Sequence, residues 1–263
     1  MRADAGLAWL ASHVQSDGSI GAPGAIATAL QATSEALRTL DEAAAAPQVA
    51  QRARVYVDAA PGTGVEPLAR KIAAAPRSGV TSLIDSLLTH QRGDGGFAAA
   101  GAQQGSVLDT AFALGALTAA GAGGGEAAQA AVTYLTASQD ADGGWPGTGA
   151  SSSLYVTALA AAALSDSTDP KAAAPAAAGR AALLARRGAD GRWGDSFLDA
   201  LALIALIRTP ADAQQLGDSI AALQAQQGVD GSWAGDAYTT ALAERAVLQA
   251  EHPPSLSRLG TID

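Results

Sequence analysis

The chain has 263 residues, a net charge of −9, a pI near 4.7 and no cysteine. Acidity without a basic patch excludes nucleic acid and argues against an anionic membrane surface. The lack of cysteine excludes thiolate metal sites, disulfides and thiol nucleophiles. Aromatic residues make up only 4% of the chain, so the core must be built mainly from Ala, Leu, Val and Ile.

No apolar run reaches the ~20 residues of a membrane span, so membrane insertion is not expected. Met1-Arg2-Ala3-Asp4 lacks a basic-then-apolar signal pattern. Met1 is the only methionine, which suits a start added to a processed chain. The expected compartment is extracellular or the cell surface, with the cytoplasm as the alternative.

From the N-terminus, helical stretches alternate with one recurring turn. It is worn at Trp9-Leu10 to Asp17-Gly18-Ser19-Ile20. It is clearer at Leu87, Gln91 and Asp94-Gly95-Gly96-Phe97, and clearest at Leu135, Gln139 and Asp142-Gly143-Gly144-Trp145. It returns at Leu183, Arg187 and Asp190-Gly191-Arg192-Trp193, then at Leu223, Gln227 and Asp230-Gly231-Ser232-Trp233. The interval from Asp17 to Asp94 is about two repeats long, and a degenerate copy fills it around Ala60-Pro61-Gly62-Thr63-Gly64. Such self-similarity marks a repeat architecture whose units bury their apolar faces on one another.

Apolar periodicity predicts a helix before each turn, over 4–14, 48–59, 80–90, 126–138, 172–186 and 211–226. It predicts a second helix after each turn, over 25–40, 65–75, 106–120, 152–164, 196–208 and 237–250. The second helices are apolar on more of their circumference, so they belong inside and the first helices outside. The expected fold is an all-α α6/α6 toroid over residues 1–254. Residues 255–263 form a strap or a linker to a flanking domain after Asp263. The Asp-Gly step supplies positive φ, the glutamine amide links the end of one outer helix to the next, and the aromatic ring covers the link. Gln91, Phe97, Gln139, Trp145, Arg187, Trp193, Gln227 and Trp233 are therefore structural.

The spacing of apolar pair, glutamine and aromatic resembles the QW motif of the squalene cyclase and prenyltransferase repeat superfamily. The resemblance implies an α/α toroid across nearly the whole chain. It also implies reactive centres that this chain lacks. There is no Asp-x-Asp-Asp run for protonating an alkene; Asp140-Ala141-Asp142-Gly143 is part of the turn. The zinc-binding histidine of the protein prenyltransferases would fall at Thr239, and their zinc-binding cysteine has no counterpart. A thioester motif is impossible without cysteine.

What remains is a column at the starts of the inner helices: Ala27, Asp109, Val156, Asp199 and Thr239, followed by Thr28, Thr110, Thr157, Ala200 and Thr240. By the resemblance this column faces one mouth of the central cavity. Asp109, Phe112, Tyr155, Asp195, Asp199, Asp236 and Tyr238 are the ligand-binding candidates, no residue is assigned as catalytic, and neither a metal nor a cofactor is expected. An Asp in a helix's first turn is equally explained by capping and the helix dipole. His13, His90 and His252 have no metal-ligand spacing and read as solvated. The resulting expectation is a non-catalytic toroid that binds a small ligand or a protein, as a module of a larger secreted or surface protein. The alternatives are a terpene-cyclase-like or carbohydrate-active enzyme using the mouth carboxylates, and a cobalamin-carrier-like domain.

Overall fold

In a computed structural model, residues 3–21, 25, 27–75, 79–147 and 151–253 are described; the tail over 255–263 lies outside them. Their regular elements are thirteen α-helices and a short 3₁₀ turn, Pro170–Ala172. The helices before the turns are α1 (Ala3–Ser12), α3 (Pro47–Ala59), α5 (Thr81–Leu88), α7 (Glu126–Ala137) and α9 (Ala173–Ala185). The stretch predicted over 211–226 is two helices, α11 (Pro210–Gln215) and α12 (Gly217–Ala225), separated at Leu216. The helices after the turns are α2 (Ala29–Glu42), α4 (Val65–Ala74), α6 (Val107–Ala119), α8 (Leu154–Asp166), α10 (Ser196–Leu206) and α13 (Ala237–Glu251).

Five of the six helices after the turns start sharply because polar side chains cap them; α4 has Gly64 at its cap position and no side-chain cap. Thr28, Ser106, Ser153, Asp195 and Asp236 each accept the backbone N–H three residues on, at Gln31, Asp109, Val156, Leu198 and Thr239. Thr28 completes a capping box with Gln31.

The chain's contacts gather in two compact units, Met1–Ala60 with Arg187–Asp263, and Pro61–Arg186. In the second unit α6 packs against both α4 and α8, and each of these three helices also packs against the next helix in the chain: α5, α7 and α9. The tight partner of a second helix is thus the first helix of the following hairpin. In the first unit α13 packs between α10 and α2, α2 packs on α3, and α1 lies on α13. Among the described residues, the last helix, α13, thus packs on the first, α1.

Among the described residues the recurring turn is one structure made five times. Its glycine has φ between 81° and 93° at Gly18, Gly95, Gly143, Gly191 and Gly231. A Cβ on Gly143 would stand 2.7 Å from the Ala178 carbonyl oxygen on α9, so the position needs glycine for both conformation and space. The backbone N–H two residues beyond the turn aspartate donates back to its carboxylate, as at Asp17, Asp94, Asp142, Asp190 and Asp230. The residue after that is the anchor. Ile20, Phe97 and Trp145 are fully buried, with Trp233 at 1% exposure. The Trp145 and Trp233 indole N–H groups donate to Leu135 O at 2.7 Å and Leu223 O at 2.8 Å, the ends of the preceding helices.

The glutamine links run from one amide nitrogen to carbonyls. Gln139 Nε2 donates to Gly143 O at 2.8 Å and to Pro175 O at 2.9 Å. Gln91 Nε2 does the same with Gly95 O at 3.0 Å and Ala127 O at 2.9 Å. One amide nitrogen thus ties the turn to the start of the following hairpin's first helix, α7 or α9, through two carbonyls. Arg187 takes this place in its own turn, where Nε donates to Ser219 Oγ at 2.6 Å.

Candidate functional site

Each anchor is fixed from above by the helix that follows it. Thr33, Thr110, Thr157 and Thr240 accept the backbone N–H of Ile20, Phe97, Trp145 and Trp233 at 2.9, 2.8, 3.0 and 2.9 Å. This corrects the start of the column: the threonine of the first hairpin is Thr33, whereas Thr28 is the helix cap. Thr33 stands one residue further past its cap, Thr28, than Thr110, Thr157 and Thr240 stand past Ser106, Ser153 and Asp236.

The hairpin that carries Ala200 has no threonine hydroxyl, and Asp199 supplies the acceptor. Asp199 is 2% exposed. Its Oδ1 accepts the Trp193 N–H at 2.6 Å and the Gly194 N–H at 3.2 Å. Its Oδ2 accepts from Arg192 Nε at 3.0 Å and Gln226 Nε2 at 2.9 Å. The mouth carboxylate expected there is committed to holding the turn.

Three other candidates of the first unit lie at helix starts. Asp195 is exposed and caps α10 through Leu198 N at 3.0 Å. Asp236 is buried, and its Oδ2 accepts both Thr239 N and Thr239 Oγ1 at 2.8 Å. Tyr238 packs against Phe197, with ring centroids 5.7 Å apart.

In the second unit, Asp109, Phe112 and Tyr155 are all partly exposed; Asp109 and Tyr155 lie in the first turns of α6 and α8, and Phe112 one turn further along α6. Asp109 differs chemically from the turn aspartates. Burial pushes its carboxyl above the ordinary aspartate value, and the nearby charge of Glu66 adds to this. His90 and a hydrogen bond from the Ala99 backbone pull the other way. By contrast Asp17, Asp142 and Asp230 are held below the ordinary value, chiefly by hydrogen bonds from Ser19, Ser152 and Ser232.

Glu66 comes from the degenerate hairpin, where alignment of the repeats gives no candidate. Glu66 stands in the first turn of α4 and binds Arg70 Nε at 2.9 Å. The Arg70 side chain is 3% exposed, and its guanidinium carbon lies 5.2 Å from the Phe112 ring centre. His90, expected to be solvated, meets the Thr63 carbonyl through Nε2 at 2.7 Å. The signal that could have found this group is Glu66-x-x-x-Arg70, charges at helical spacing in a helix otherwise apolar on that side. A different kind of ion pair, Glu35 with Arg245 at 2.5 Å, is buried between two helices, α2 and α13.

No family model matches the chain. No characterised protein matches it in sequence. Solved structures do match in fold. A type II terpene cyclase, MstE from Scytonema, superposes with a TM-score of 0.75 at 17% identity, over 95% of this chain and 97% of the other. A variant of that cyclase in complex with its substrate, geranylgeranyl dihydroxybenzoate, gives 0.74 at 17% identity, over 95% and 96%. The ent-copalyl diphosphate synthase of Streptomyces platensis gives 0.66 at 25% identity, over 84% of this chain and 50% of the other. These matches overturn the expectation of a non-catalytic binding or interaction module: a terpene cyclase shares the fold nearly end to end, and one of its structures holds the substrate. The enzyme alternative fits them better. The chain has the α/α-toroid fold of the squalene cyclase and prenyltransferase repeat superfamily.

Proposed function

We propose that this chain is a terpene-cyclase-like enzyme that starts cyclisation by protonating an alkene of a polyprenyl substrate, with Asp109 as the acid. The observation that carries the reading is the Asp109 carboxyl. It stands half-buried in the first turn of α6, with its pKa raised by burial. Protonating an unactivated alkene needs a carboxyl that still holds its proton where ordinary aspartates have lost it.

The chemistry balances without a redox partner. The Asp109 O–H bond breaks as a C–H bond forms at the less substituted alkene carbon, leaving a tertiary cation. A second alkene of the same molecule attacks that cation and closes a ring. Loss of a proton from the final cation leaves a cyclic isomer of the substrate, and Asp109 regains its proton from solvent. Phe112, one turn beyond Asp109, and Tyr155, in the first turn of α8, are the aromatic faces available to steady positive charge. In place of an Asp-x-Asp-Asp run, a single carboxyl on α6 stands beside a second on α4.

The test is incubation of the purified protein with geranylgeranyl dihydroxybenzoate and with geranylgeranyl diphosphate. A product of unchanged mass with fewer alkenes is expected. Asp109→Asn should lower its rate by at least ~10²-fold. Undiminished turnover in that variant, or no cyclic product from any polyprenyl substrate, overturns the reading.

A further inference from the structure

We propose that residues 99–104 form a strap over the start of α6, clasped at Ala99 by Arg92, which opens to admit substrate to Asp109 and closes to keep water out. The proposal rests on the reading of Asp109 as the acid. The strap is extra chain. Gly194 alone joins the anchor Trp193 to the cap Asp195, and Ala234-Gly235 joins Trp233 to the cap Asp236. Between Phe97 and the cap Ser106 stands the longer stretch 98–105. The turn itself does not require that length. The Phe97 N–H meets Thr110 Oγ1 at 2.8 Å, as the Trp233 N–H meets Thr240 Oγ1 at 2.9 Å.

Both ends of the stretch are fixed posts. At the base the Ser106 N–H donates to Phe97 O at 2.8 Å, and a Cβ on Gly96 would stand 2.8 Å from Gly105 Cα. The Gly105 N–H donates to Asp94 Oδ2 at 2.9 Å, and the Tyr134 hydroxyl donates to Gly105 O at 2.6 Å. At the other post Ala98 is buried, and its N–H donates to His90 O at 3.2 Å. Residues 99–104 between the posts are all exposed, uncharged and no larger than glutamine. Their own backbone bond runs from the Ala102 N–H to Ala99 O at 3.1 Å. Among the described residues, Arg92 is the side chain that reaches past a post onto the strap. Its Nη2 donates to Ala98 O at 2.9 Å and to Ala99 O at 2.7 Å. The Ala99 N–H in turn bonds the Asp109 carboxyl, so the clasped residue sits on the proposed acid. At the far end Ser106 Oγ accepts the Asp109 N–H at 3.3 Å. Exposed backbone with few bonds opens first, and closure over a reacting cation excludes the water that would trap it.

The test is amide hydrogen exchange, followed by NMR, in the wild-type chain and Arg92→Gln. In the wild type the Ala99 and Ala102 amides exchange together, and faster than those of Ala98, Gly105 and Ser106. In Arg92→Gln the first two exchange at least ~10-fold faster, while the three post amides keep their rates. Geranylgeranyl dihydroxybenzoate slows Ala99 and Ala102 in the wild type. Rates at Ala99 and Ala102 unmoved by Arg92→Gln, or accelerated equally at the posts, overturn the proposal. So does a substrate that the chain cyclises and that leaves these two amides unslowed. Should Arg92→Gln not fold, the wild type decides alone: strap and posts exchanging alike overturn the proposal. A chain that cyclises nothing refutes the enzymatic reading, while exchange without substrate still decides whether Arg92 clasps a strap.

Discussion

The Asp199 carboxylate receives the Trp193 backbone N–H at 2.6 Å, the bond that a threonine hydroxyl one residue later in the repeat accepts in four other hairpins. Ala200 cannot accept it, so the acceptor has moved back one position and changed its chemistry. Asp199→Ala leaves a buried N–H and the Arg192 guanidinium without this partner. Its expected cost is about 3 kcal/mol. Adding Ala200→Thr restores the hydroxyl and should return about 1 kcal/mol. Urea denaturation of the single and double variants checks both; no recovery in the double variant would contradict the equivalence.

Trp145 is fully buried, and its ring N–H is bonded to the end of α7. Trp145→Ala removes a large core side chain and should destabilise the chain by about 3–5 kcal/mol. An unchanged melting temperature would refute its role as anchor.

Two glycines should respond in opposite directions. Gly143 has φ +82° and lies against the Ala178 carbonyl, so Gly143→Ala should lose about 2 kcal/mol or more. Gly115 lies inside α6, and a Cβ there would meet nothing within 4 Å, so Gly115→Ala should gain about 0.5–1 kcal/mol. The paired melting curves check the assignment of turn and helix together.

Acid stability follows from carboxyls of both signs. Asp17, Asp142 and Asp230 are held below their ordinary value in the folded chain. Their contribution is present above the unfolded aspartate value of about 3.9 and is lost as pH falls through the folded values. Asp109 has the opposite sign. Its raised value makes it stabilising while protonated, and that contribution is lost as pH rises from about 3.9 through its folded value. Asp109→Asn should therefore raise the urea midpoint at pH 7 relative to the wild type while removing activity. Replacing Asp17, Asp142 and Asp230 by Asn should flatten the loss of stability below pH 4.

The helices were legible because their apolar period is local to each stretch: α7 and α10 begin where the pattern places them. The break at Leu216 was not, since apolar spacing continues across it. Packing between hairpins was only partly legible. The glutamine was recognisable as a link, but that its one nitrogen would serve two carbonyls depends on where Pro175 and Ala127 arrive in space. The candidate site was half visible. Asp109 stood out by its place in the repeat. Glu66 and Arg70 did not, because the hairpin carrying them has lost the glutamine and aromatic that make the repeats alignable. Asp199 occupied the same column as Asp109 and has a different task, because the missing hydroxyl at Ala200 draws it into the turn.

Cyclisation in heavy water tests the proposed chemistry most directly. If Asp109 delivers a solvent-exchanged proton to an alkene, the cyclic product formed in D₂O carries one deuterium, at the carbon that was protonated, and Asp109→Asn forms none of it. A cyclic product without deuterium at that carbon, or one formed equally by the Asp109→Asn variant, would contradict the account.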